Sequence, residues 1–136
     1  MKYLKLNLAL LFLLCSCAKE STYVPNVAVN FRASLSDPKL NSLNSPGSSV
    51  IIQGYGVAGL VIYRGLDFYV AFDRCSTVNP EKKCAVVIDP SGITATDPCS
   101  GAMFSLYNGS AVKAPASRPL RRYQVYTDYG NISIVN

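Results

Sequence analysis

The sequence predicts an all-β fold, a sandwich or barrel. Three observations carry this. The apolar runs are short, turn residues separate them at close intervals, and nowhere does helical apolar spacing persist long enough for an amphipathic helix.

The alternation of residues 27–32 (VAVNFR) predicts the first strand. Residues 35–43 contain Asp37-Pro38, with Leu35, Leu40 and Leu43 near helical spacing, and predict one short helical turn. Residues 44–49 form a loop by composition. Strands are then predicted at 50–53, 60–64, 68–73, 85–89, 93–96, 103–106, 121–128 and 132–135. Arg64-Gly65, Asp89-Pro90-Ser91-Gly92, Asn108-Gly109 and Tyr129-Gly130-Asn131 are the turn signals between them. There is no internal repeat, and residues 18–136 read as one domain of ordinary size.

Residues 1–17 read as an export signal. Lys2 and Lys5 are its basic start, and residues 6–14 are an apolar run too short to span a bilayer. Leu14-Cys15-Ser16-Cys17 fits a bacterial lipoprotein box, with a small residue before Cys17 and Cys17 as the lipidated first residue of the mature chain. Acyl chains on one cysteine give lasting membrane attachment. No Asp comes directly after Cys17, which points to an outer-membrane lipoprotein, facing the periplasm or the outside. Removal of Lys2 and Lys5 leaves eleven basic against eight acidic residues, so the net charge falls from +5 to +3. Lys82-Lys83 and Arg118, Arg121 and Arg122 hold much of that excess, which reads as solvated surface able to meet a protein or an acidic glycan. Nucleic acid is not an expected partner of an exported chain.

Gly54-Tyr55-Gly56-Val57-Ala58-Gly59 satisfies the spacing of a dinucleotide loop, but that loop must open a helix. Here the β-branched and aromatic residues 60–63 come next, so a strand begins and the glycines shape a loop between strands. The chain has no histidine, which removes Ser–His–Asp and Cys–His catalysis. Asp73, Glu81, Asp89 and Asp97 are available acids, but Asp89 before Pro90 is explained by turn chemistry, and no enzyme is predicted. Cys75, Cys84 and Cys99 remain after the lipobox. With Asp97 they make a four-donor set, yet an oxidising compartment favours a disulfide over zinc, and no metal site is predicted. The cysteine left over could be a reactive thiol.

The C-terminal half carries a more specific pattern. Cys99-Ser100-Gly101-Ala102-Met103-Phe104, Asn108-Gly109, Ala114-Pro115-Ala116-Ser117-Arg118-Pro119-Leu120 and Tyr123-Gln124-Val125 succeed one another. This order resembles the second half of a Rieske iron–sulfur domain. That family holds a [2Fe–2S] cluster with two Cys on one iron and two His on the other. The resemblance spans nearly the whole mature chain and includes a glycine turn like that at residues 54–59.

The resemblance implies a small three-sheet antiparallel fold with two loops converging at one tip. It places Cys75 and Thr77 at the first pair of cluster positions, and Asp97 and Ser100 at the second, so only Cys75 keeps a ligand's chemistry. It also implies a bracing disulfide between the two loops, Cys84–Cys99, with Cys75–Cys99 as the other pairing and Cys75 as the thiol left free. The expected protein is a membrane-anchored lipoprotein that has lost its iron–sulfur site, has no cofactor, and serves a binding or envelope-structural role. The alternative is a Rieske-type [2Fe–2S] electron-transfer protein with unusual ligands.

Overall fold

A computed structural model describes residues 23–136. The export signal and the lipidation site Cys17 lie outside the described residues. Ten strands are formed among the described residues: β1 Asn30–Ser34, β2 Ser49–Ile52, β3 Leu60–Arg64, β4 Tyr69–Asp73, β5 Val87–Ile88, β6 Thr94–Thr96, β7 Met103–Ser105, β8 Ala111–Lys113, β9 Arg122–Asp128 and β10 Asn131–Val135. Two 3-10 helices, Pro38–Asn44 and Pro80–Lys82, are the remaining regular elements.

One sheet has the order β1-β10-β9-β4-β3-β2, the other β5-β6-β7-β8. All named strand pairs are antiparallel. The larger sheet consists of two three-stranded halves joined at β4 and β9, where the paired residues are Ala71–Tyr123 and Phe72–Arg122. Phe31, Ile132 and Ile134 of one half meet Leu60, Ile62 and Ala71 of the other in a first core, which Leu40 and Leu43 of the long 3-10 helix close. With the four-stranded sheet this makes the three-sheet, all-β architecture that the family resemblance implies.

The β3–β4 hairpin explains how two cores fit in so small a domain. Leu60 and Ile62 face the first core, while Val61 and Tyr63 face a second one with Val70, Phe72, Phe104 and Leu106. Both faces are covered, so the hairpin reads as continuous apolar runs and not as alternation. The four-stranded sheet is inserted between β4 and β9, which are neighbours in space. The loop after β4, the β6–β7 turn and the proline-rich run before β9 are thereby brought to one end.

Differences from the sequence expectation are local. The strand predicted at 27–32 begins at Asn30, because the Val29 amide donates to the Asn136 side chain and not to a ladder partner. The predicted helical turn is a 3-10 helix over Pro38–Asn44, capped by the Asp37 side chain on the Lys39 amide. Strand β8 has no counterpart among the predicted strands. It is three residues long and largely exposed, too short to show a period.

Candidate functional site

The tip is built from three segments. The loop after β4 supplies Arg74 to Val86, the β6–β7 turn supplies Asp97 to Ala102, and the proline-rich segment supplies Arg118. Cys84 of the first is joined to Cys99 of the second by a disulfide with its Cα atoms 6.4 Å apart. Cys84 is buried and Cys99 exposed.

Asp97, fully buried, ties the same two loops together a second time. Its Oδ2 accepts from the Ser76 hydroxyl at 2.7 Å and the Ser100 hydroxyl at 2.6 Å, and its Oδ1 accepts from the Cys99 amide at 2.8 Å. The two serines are themselves fixed, since Ser76 Oγ accepts from the Val78 amide and Ser100 Oγ from the Ala102 amide. Burial pushes the Asp97 carboxyl up, but the Ser100 and Ser76 hydroxyls and the Cys99 and Ser100 amides outweigh it and hold the group below its usual range.

Beneath the tip a second buried carboxylate, Asp73, closes β4. It accepts from the Val57 and Ala58 amides of the glycine loop, from the Cys75 amide, and from the Tyr123 hydroxyl of β9 at 2.8 Å. The glycine loop therefore cradles an anion that belongs to the chain itself. A side chain at Gly56, which sits at φ +66°, would collide with the Asp73 carboxylate. Burial first, then the hydrogen bond and charge of Asp73, push the Tyr123 phenol far above its usual range.

Cys75 is fully buried, and its Sγ lies 3.6 Å from the carbonyl oxygens of Ser76 and Pro80. Burial, then the charge of Asp73, push its thiol up to about 11, so it stays protonated near neutral pH. Both its burial and its raised pKa count against Cys75 as a reactive thiol. Thr77 donates through Oγ1 to the Arg118 carbonyl and so ties the first loop to the proline-rich segment. The structure thus places Asp97 with Ser100 in one network, and turns Cys75 and Thr77 to backbone carbonyls. Sequence reasoning missed Ser76 and the Asp73–Tyr123 pair. The local signal for the latter was the glycine loop, whose Val57 and Ala58 amides need an acceptor.

No protein-family model and no curated protein matches the sequence. Solved structures do match the fold. The cyanobacterial plasma-membrane Rieske protein from Synechocystis PCC 6803 superposes with a TM-score of 0.56 at 21% identity, covering 82% of this chain and 99% of that one. The chain has the Rieske-type fold. The Sphingomonas yanoikuyae B1 ferredoxin (TM-score 0.52, 17% identity, 79% of this chain, 99% of that) is also similar. So is the ferredoxin of carbazole 1,9a-dioxygenase from Nocardioides aromaticivorans IC177 (0.51, 18%, 80% and 97%).

These neighbours correct one expectation. The sequence leads to a chain with no cofactor, whereas the solved proteins that share its fold are Rieske-type, and Rieske centres are [2Fe–2S] clusters. The fold accords with the [2Fe–2S] alternative. The residues at the tip of this Rieske-type domain do not match the family's usual shell, however. Histidine is absent from the chain, Cys84 and Cys99 are bonded to each other, Cys75 is a buried thiol, and the Asp97 oxygens accept from Ser76, Ser100 and Cys99. A two-Cys, two-His shell has no counterpart among them.

Proposed function

We propose that this chain is an exported lipoprotein, anchored to the outer membrane through Cys17, whose Rieske-type domain serves as a non-enzymatic binding or structural module of the envelope. The observation that supports it most is the double brace at the tip. The Cys84–Cys99 bond and the Asp97 network commit the loop donors to holding loops together. A rigid, covalently closed loop cluster suits recognition, because little loop entropy is lost on binding. Exposed Lys82 and Lys83, preceded by exposed Glu81, lead into Cys84 of the brace and give the loop a small basic excess that suits an acidic protein or glycan.

The fold itself favours a second reading, electron transfer through a [2Fe–2S] centre with unusual ligands. Anaerobic dithionite titration of freshly purified protein separates the two. The binding reading expects no reversible change in visible absorbance. Reversible bleaching, with stoichiometric iron and acid-labile sulfide in the sample, replaces it with the second reading. Anchoring is tested separately: Cys17→Ala is expected to move the protein from the membrane to the soluble fraction, and retention of the variant in membranes refutes the lipid anchor.

A further inference from the structure

The disulfide at the tip has a carboxylate beside it. Donor atoms of Cys84, Cys99 and Asp97 all lie within 4.8 Å of one another. Zinc takes two thiolates and a carboxylate readily, with Zn–S near 2.3 Å, which puts two sulfurs of a tetrahedral site about 3.8 Å apart. The Cα atoms of Cys84 and Cys99, 6.4 Å apart, leave room for that spacing by side-chain rotation once the bond is open.

We propose that opening the Cys84–Cys99 disulfide turns the tip into a zinc site with Cys84, Cys99 and Asp97 as ligands and an open fourth position on the exposed side. It stands on the geometry alone and does not depend on how the chain is anchored. In the reducing step a dithiol donates two electrons and two protons to the Cys84–Cys99 bond, leaves as its own disulfide, and two thiols remain. Binding of Zn²⁺ then releases the two thiol protons to water.

Three features favour this set. Asp97 is already ordered, with the Ser76 and Ser100 hydroxyls on Oδ2 and the Cys99 amide on Oδ1. Carboxylate ligands held by such outer hydrogen bonds bind metals more tightly. Cys99 is exposed, which admits both reductant and ion, and Lys83 precedes Cys84 in the chain, where a cation favours the thiolate. Cys75 stands outside this cluster.

The test is titration of the purified full chain with Co²⁺, with and without prior reduction by a phosphine. The phosphine takes up oxygen from water as it opens the disulfide. The reduced protein is expected to keep its far-ultraviolet dichroism and to bind one Co²⁺ per chain. Thiolate-to-cobalt charge-transfer absorption and intense visible bands should appear, and Zn²⁺ should displace them. The oxidised protein should show neither band. Cys75→Ser should behave as the parent, Cys84→Ser and Cys99→Ser should lose the charge-transfer band, and Asp97→Asn should weaken binding about tenfold or more. If Asp97→Asn does not fold, the two cysteine variants decide alone. Unfolding on reduction, no band at one equivalent of Co²⁺, a band that survives in Cys84→Ser, or one that disappears in Cys75→Ser each overturns the proposal.

Discussion

Replacing Asp97 by Asn removes one charge and one acceptor atom from the centre of the tip while keeping the side-chain shape. The parent carboxylate accepts from the Ser76 and Ser100 hydroxyls and the Cys99 amide, and the Ser100 amide also favours its charge. The serine hydroxyls can rotate and accept from the new amide group, so part of that loss is recovered. The Cys99 amide and one Oδ2 partner compete for a single oxygen, and one buried donor loses its charged acceptor. Hydrogen bonds to a charged group contribute about 1.5–3 kcal/mol each, so Asp97→Asn should cost about 2–3 kcal/mol at pH 7. In a domain of this size that lowers Tm by about 10 °C.

The pH dependence is the sharper test. Asp97 is held below its ordinary value of 3.8 in the folded state, so the unfolded chain takes up this proton first as pH falls. Its contribution is complete well above that value and is lost as pH falls through it towards the lower folded value. Urea unfolding of parent and variant should therefore show a full gap in stability at pH 7 that narrows below about pH 4. A gap under about 1 kcal/mol at pH 7, or one that stays constant on acidification, refutes the claim that the ionised carboxylate organises the tip.

The remaining predictions concern the disulfide, the free thiol and the glycine loop. Cys84 and Cys99 are 15 residues apart, and Cys84→Ser should lower stability by about 3 kcal/mol in the chain-entropy description, read from the shift in urea midpoint under oxidising conditions. Cys75 should resist thiol reagents in the folded protein and react fully in denaturant; stoichiometric labelling of the native protein at pH 8 contradicts its burial. Tyr123→Phe removes one of the donors to Asp73 and should cost about 1–2 kcal/mol, since the three backbone amides remain. Gly56→Ala should cost more, because the new methyl group meets the Asp73 carboxylate at a positive φ; a variant as stable as the parent would show that this loop can move aside.

Much of the fold is legible in the order of residues. The runs at 60–64 and 68–73 match β3 and β4 almost residue for residue, because an apolar β-branched run bounded by turn residues has few other solutions. The glycine loop is legible as a connector between strands, and β3 begins directly after Gly59. The Cys84–Cys99 bond is expected through the family resemblance, not through spacing, which leaves Cys75 equally eligible. Pro80–Lys82 reads only as part of a long loop, since a single 3-10 turn has no period to detect.

What the sequence alone determined is therefore local in origin: strand positions, turn chemistry, the absence of imidazole, and the short list of residues from which a tip could be made. Only the tertiary structure decided how those residues are used. Tyr123 reaches Asp73 across 50 residues through the pairing of β4 with β9, and Ser76 reaches Asp97 across 21 where the loop after β4 meets the β6–β7 turn. Side-chain alternation is a property of neighbouring residues and can be seen in their order. A buried carboxylate needs donors from wherever the chain returns, and that is settled by packing.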